Sequence, residues 1–272
     1  MASALLGIDL GSSSVKVSLI DADRGNALVS VQSPESEMPI HAPQPGWAEQ
    51  DPEVWWQHVQ IAIRQALHQV PDAQVSAIGI AYQMHGLILL DRAGAVLRPA
   101  IIWCDSRAVG TGEEAFRQLG QGFCLQHLLN SPGNFTAAKL KWVKDHEPHV
   151  FEKANTFLLP GDYLAYRLTG ECSTTGSGLS EGILWDFHEQ GPAYALMDHW
   201  GLSRSLLPSV KKTFSVQGKL LPAVAASLGL PPGIPVSYRA GDQPNNAWSL
   251  GVTQPGEVAA TAGTSAVVYA VG

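Results

Sequence analysis

Gly7-Ile-Asp-Leu-Gly-Ser-Ser-Ser-Val-Lys-Val-Ser-Leu-Ile-Asp21 is the stretch that decides the fold. It is apolar, then small and hydroxylated, then apolar again, with Asp9 inside the first run. Val15, Val17 and Leu19 alternate with Lys16 and Ser18, which is the period of a strand rather than of a helix. The unit therefore reads strand, turn, strand. A glycine and serine turn after a strand suggests phosphate, but the usual sequences that hold one are missing. No GxxxxGK[ST] occurs, and Gly11 is the lone glycine of the turn, so no GxGxxG follows. What remains is a hairpin whose turn presents backbone N–H groups and hydroxyls, which suit phosphate oxygens. Asp9 beside it is placed to hold the Mg²⁺ that accompanies a nucleotide. An ordinary hairpin with a polar turn would read the same way, and this stretch alone leaves both open.

The composition narrows the field. The chain has 272 residues, 45% of them hydrophobic, enough for a substantial core and for one or two domains. Its net charge is −7 and it carries no Lys/Arg-rich run, which argues against nucleic acid or an anionic membrane as partner. It has no apolar stretch of transmembrane length. The start, MASALLGIDL, lacks a basic segment and runs straight into the hairpin, so a signal peptide is not expected. Cys104, Cys124 and Cys172 are odd in number and lack CxxC spacing, which fits reduced, buried thiols in a cytoplasmic protein. The nine histidines show no HExxH spacing, so zinc is not expected.

Beyond the hairpin, Ala27–Ser33 continues as strand, and Pro39, Pro43 and Pro45 mark a loop. Asp51-Pro52 predicts a helix start, with the aspartate as N-cap and the proline at the first helical position. Trp55, Val59, Ile63, Ala66 and Leu67 give that helix its apolar stripe. Val75–Tyr82 reads as a buried strand, Gly86–Leu97 as a hairpin turning at Arg92–Gly94, and Arg107–Tyr166 as mostly helical. "IPVSYRAGD" is a strand leading to Asp242. Strand pairs mixed with helices predict an α/β fold. Glu257–Val271 then repeats the opening pattern, an apolar run, the turn Gly263-Thr264-Ser265, and another apolar run. Two such hairpins point to two related half-folds facing each other across a phosphate. The second half-fold would have only its first strands here, so the expected organisation is a domain over 1–250 and the start of another over 251–272.

Taken together, these stretches resemble the FGGY carbohydrate kinases, on the actin-like, ribonuclease H-like fold shared with hexokinase and the Hsp70 ATPase. The resemblance runs along the whole chain. It rests on "GIDLGSSS", "WAEQDPEVWW", "YQMHG", "IIWCDSR", "FTAAKLKWVKDHEP", "LLPGDYLAYRLTGE", "AGDQPNNA" and "TAGTSA", in that order. Within the family the motifs are most similar to those of xylulokinases.

The resemblance implies transfer of the ATP γ-phosphate to a sugar hydroxyl, D-xylulose giving D-xylulose 5-phosphate, with ATP and Mg²⁺. The neighbouring choices are kinases of glycerol, gluconate, ribulose or rhamnulose, or a non-catalytic sugar-binding protein. It implies Asp242 as the catalytic base, and Asp9 near the metal. Gly11, Ser12 and Ser13, with Gly263, Thr264 and Ser265, match the two phosphate turns. Met84 and His85 match the sugar-contacting pair, with Trp103 and Asp105 as wall and anchor, and Gln243 and Asn246 beside the base. It allows a homodimer. The family's glycine-rich adenosine-holding segment is not found in these residues, so most of the ATP site is expected to be missing. Asn134 and Ala138 depart from the pattern with little consequence. Other conspicuous residues have simpler readings. Trp55 and Trp56 suit helix packing and Asp162 suits a helix cap. Lys139 and Lys144 suit solvated or structural roles, and Trp47 suits either packing or ligand.

Overall fold

The structure, a computed structural model, describes residues 2–262 and 266–272. The opening hairpin lies in a sheet. Strand β1 (Ala2–Leu10) pairs antiparallel with β2 (Val15–Asp21), Leu10 opposite Val15, and β3 (Ala27–Ser33) extends the sheet beyond β2. The alternation decides which face is covered: Leu6, Ile8, Leu10, Val15, Val17 and Leu19 are buried, while Lys16 is exposed. Helix α1 (Pro52–Gln69) begins where the Asp-Pro pair predicts, its N-cap Asp51 accepting from the Glu53 N–H at 2.9 Å. It lays Trp55, Val59, Ile63 and Ala66 on β2 and β3. Each such fully buried side chain contributes about 1.5–3 kcal/mol.

From α1 the chain returns as β4 (Ala73–Tyr82), parallel to β1 with Leu10 opposite Tyr82. It then leaves the sheet. This excursion holds α2 (Thr136–His146), α3 (Pro160–Thr169) and α4 (Gly176–Glu181). The return gives β5 (Phe214–Lys219) and β6 (Pro235–Gly241), followed at once by α5 (Asp242–Ser249). Last come β7 (Val258–Ala262) and β8 (Ala266–Ala270), a separate antiparallel pair. The sheet order is β5-β6-β4-β1-β2-β3, with β1, β4 and β6 parallel and β2, β3 and β5 antiparallel to their neighbours. It is the mixed, helix-flanked sheet that the resemblance implies.

Two apolar cores result. One lies between the sheet and its helices, and the other lies within the excursion around Leu87, Ile101, Leu140, Val143 and Leu179. Helix α3 joins the sheet closely, since a Cβ on Gly161 would sit 2.0 Å from the Tyr82 ring. The join also carries a fully buried ion pair, Arg239 Nε to Asp162 Oδ1 at 2.7 Å.

The sequence reading needs two adjustments. Asp162 does bond the Leu159 N–H, at 3.3 Å, but it sits inside α3 and its main partner is Arg239. The stretch read as mostly helical contains a strand, Thr156–Leu158, paired with Ile88–Leu90; a three-residue strand shows no periodicity. Of the solvated and structural alternatives for the two lysines, both take the structural one: Lys139 is fully buried and donates to the His85 and Ile102 carbonyls, and Lys144 donates to the Trp200 carbonyl at 2.8 Å. The tryptophans behave as packing residues: Trp55 and Trp56 are buried, and Trp47 meets Trp142 edge-on at 5.2 Å.

Candidate active site

Parallel strands place their carboxyl ends together, and ligands in open α/β sheets bind there. Here Leu10, Tyr82 and Gly241 end β1, β4 and β6 side by side. Whatever precedes or follows those residues must converge. Asp9, Met84, His85 and Asp242 accordingly line one cavity of about 400 Å³. Gly11, Ser12, Ser13, Trp103 and Gln243 line it too.

The phosphate-type turn is closed by the Gly11 N–H donating to the Ser14 carbonyl at 3.0 Å. A buried polar network holds it. Gln50 Nε2 donates to the Ser12 carbonyl at 2.7 Å, and Gln50 Oε1 accepts from Trp55 Nε1 at 3.0 Å and Gln83 Nε2 at 3.2 Å. The Gln83 N–H donates to the Leu10 carbonyl at 2.6 Å. Trp103 reaches over from the other side, its Nε1 3.4 Å from Ser12 Oγ. The turn of the second hairpin, Gly263, Thr264 and Ser265, lies outside the described residues.

His85 has a φ of +61°, a left-handed conformation unusual for a residue with a side chain. Its ring packs edge-on against Phe135 at 4.7 Å. Nδ1 lies 2.8 Å from the Glu181 carbonyl oxygen. That oxygen only accepts, so Nδ1 carries the hydrogen. Burial, reinforced by the nearby Lys139 charge, lowers the imidazole pKa to about 4, so the ring is neutral near pH 7 and its Nε2 is an acceptor.

Asp242 opens α5, so its position along the chain is fixed by the end of β6. Burial raises its carboxyl pKa to about 6 and the Asp9 charge adds to this, while the Gln243 N–H opposes it. Burial also raises Asp9, against the pull of Lys16. Gly241, just before Asp242, has no room for a side chain: a Cβ would stand 2.4 Å from Met84 Cγ and 2.5 Å from Glu181 Oε2. The carboxyl of Glu181 is itself raised well above the usual range by burial and by the neighbouring Asp162.

Two expected site residues are placed elsewhere. Asp105 is fully buried and its oxygens are taken, Oδ2 by the Ala48 N–H at 2.6 Å and by Arg107 Nη2 at 2.7 Å. Asn246 is exposed on the solvent side of α5 and does not line the cavity. Conversely, Lys16 and Gln83 do line it and were not singled out in the sequence. Gln83 stood within the "YQMHG" motif, and Lys16 was read only as the polar phase of a strand.

Half-buried carboxylates at Asp9 and Asp242, each held above its ordinary pKa, suit a site that receives a cation. Among the described residues no group of three or more His, Cys, Asp or Glu could cage a metal. Among the described residues no helix is long and apolar enough to cross a membrane.

The chain is 37% identical to the xylulose kinase of Escherichia coli over 267 residues, covering 98% of this chain and 54% of the relative. It is 32% identical to a glycerol kinase of Thermococcus gammatolerans, covering 98% of this chain and 53% of that protein. Among solved structures, a xyloylose kinase from Brucella ovis superposes with a TM-score of 0.90 at 32% identity, covering 98% of this chain and 54% of that one. The chain thus spans about half the length of the curated relatives it matches. The fold is the actin-like, ribonuclease H-like one of these kinases. The family model for the N-terminal domain of FGGY carbohydrate kinases matches residues 4–248, and the chain belongs to that family.

Proposed function

We propose that this chain supplies the sugar site and the catalytic base of an ATP-dependent sugar kinase acting on D-xylulose. The observation that carries the reading is Asp242, half-buried with a pKa raised to about 6, lining the same cavity as His85 and the Gly11–Ser13 turn. A base so tuned is mostly ionised at neutral pH yet remains a competent proton acceptor. In the reaction, Asp242 takes the proton of the sugar hydroxyl as that oxygen bonds to the γ-phosphorus. The bond from phosphorus to the bridging oxygen breaks, and its electron pair leaves with ADP. The products are D-xylulose 5-phosphate, ADP and a proton that the base returns to water. Positioning and charge neutralisation carry most of such a transfer. The Gly11–Ser13 turn and Asp9 are the groups that would hold phosphate and Mg²⁺, the ion supplying neutralisation of phosphate charge. His85, Met84 and Trp103 hold the sugar against the base.

Several parts of this reading rest on the family resemblance. They are the division into a sugar domain over 1–250 and the start of an ATP-binding domain over 251–272, the cytoplasmic location, and a homodimer. The glycerol kinase relative supports a second reading, a smaller polyol as substrate.

The test is the melting temperature of the purified chain titrated with D-xylulose, glycerol and ATP·Mg²⁺. A ligand of the folded state stabilises it by about 2.7 kcal/mol at a hundredfold excess over Kd. A dose-dependent rise with D-xylulose supports the assignment. A rise with glycerol alone transfers it to a polyol, and no rise with any sugar in a cooperatively melting chain rejects it.

A further inference from the structure

His85 is the most constrained residue of the cavity. A left-handed backbone at a residue with a side chain persists where its surroundings over-determine it. Its surroundings here are two. On one side, the Glu181 carbonyl fixes Nδ1 at 2.8 Å. On the other, Lys139 Nζ donates to the His85 carbonyl at 2.8 Å and to the Ile102 carbonyl at 2.9 Å. Lys139 is fully buried, and nothing in its placement brings it to the cavity itself. Ile102 is the residue before Trp103. One ammonium therefore staples the segment bearing His85 to the segment bearing Trp103, the two walls of the cavity.

We propose that Lys139 is a positioning residue that, with the Glu181 carbonyl, locks His85 in its left-handed backbone and Nδ1–H tautomer, making Nε2 a fixed acceptor for a sugar hydroxyl. The proposal rests on the reading of the cavity as a sugar site, and it adds a selection rule. A hydroxyl can donate to Nε2; a carbonyl or ether oxygen at the same point leaves that nitrogen unpaired, and a site built around a hydrogen bond discriminates strongly against the group that lacks it. A free ketose hydroxyl is accepted at His85, and its O-methyl ether is not.

The tautomer can be read without sugar. Long-range ¹H–¹⁵N spectra of the ¹⁵N-histidine-labelled chain are expected to show His85 in a single Nδ1–H form. In Lys139→Met the expected result is a mixture of tautomers. Lys139→Gln, too short to reach either carbonyl yet still polar, serves as the second variant with the same expectation. An Nε2–H ring in the wild type, or an unchanged ring in the folded variants, overturns the proposal whether or not any sugar binds. With D-xylulose, calorimetry is expected to give a Kd about tenfold or more higher in the Lys139 variants, and no further loss when Lys139→Met is added to His85→Ala, since coupled residues are non-additive. Additive losses would mean that Lys139 acts on binding independently of His85 and would also overturn it. A wild-type chain that shows the Nδ1–H ring but binds none of the sugars rejects the sugar reading instead.

Discussion

Asp9, on β1, and Asp242, at the start of α5 just past β6, approach the same cavity from either side of β4, close enough that the charge of Asp9 helps to raise the carboxyl of Asp242. Placing two half-buried carboxylates together disfavours the fold whenever both are ionised. On the proposed function, this is the arrangement that a phosphate-bound cation and a proton acceptor require. Stability and chemistry are opposed at this pair.

The opposition is measurable through pH. Asp242 is held at about 6 against an ordinary 3.8, chiefly by burial. Between those values the folded chain keeps a proton that the unfolded chain has lost. The stability is fully present below the ordinary value and is lost as pH rises through about 6. Asp242→Asn removes the penalty. At pH 7.5 it should melt a few degrees higher, a gain of about 1–2 kcal/mol, reduced from the full shift because the carboxyl is partly exposed. The difference should vanish near pH 4. Thermal melts across pH check this, and an asparagine variant no more stable at pH 7.5 contradicts it.

Gly241 tests the tightness of the packing behind the base. Alanine there forces its Cβ to within 2.4 Å of Met84 and 2.5 Å of Glu181. The expected cost is about 1–3 kcal/mol, with weakened sugar binding because Met84 lines the cavity. Urea denaturation and a sugar titration of Gly241→Ala measure both. Wild-type values in both would mean that the contact relaxes freely.

The pair Arg239–Asp162 is fully buried. Asp162→Asn leaves the guanidinium buried without its counter-charge, at a cost of about 3–5 kcal/mol. The double change Asp162→Leu/Arg239→Met should recover much of that. If the double variant is as unstable as the sum of two singles, the hydrogen bond from Arg239 to the Ser173 carbonyl, rather than the ion pair, holds this join.

Trp103 is 46% exposed and forms the outer wall of the cavity. Trp103→Ala should raise the Kd for D-xylulose about 5- to 10-fold, roughly 1–1.4 kcal/mol, with the melting temperature almost unchanged. Unchanged affinity would remove Trp103 from the sugar site.

Much of this was legible in the residues. Period-two alternation marked β2 and the apolar run before the turn marked β1, Asp51-Pro52 marked the start of α1, and the strand before Asp242 marked where that carboxylate stands. What escaped has physical reasons. Asn246 looked equivalent to Gln243 and shares its face of the helix, but three residues carry it about 4.5 Å farther along the axis from the strand end, and there it is exposed while Gln243 lines the cavity. Asp105 looked like an anchor because aspartates suit sugars, yet Arg107 two residues on claims both its oxygens. For Lys139 the residues leave a solvated and a structural role open, because the sequence does not show what covers a lysine. Its neighbours Ala137, Ala138 and Leu140 are all buried, so α2 is covered around it, and only the two carbonyls it meets make that tolerable.

The two cores divide the labour of the cavity. Asp9 stands on a strand anchored in the first and Asp242 directly follows another, at the start of α5, whereas His85, Trp103 and Glu181 border residues of the second, Leu87, Ile101, Leu179 and Ile183. The interior of the excursion can therefore be repacked, shifting one wall of the cavity by a fraction of an ångström, while Asp9, Asp242 and the Gly11–Ser13 turn keep their footing on the sheet.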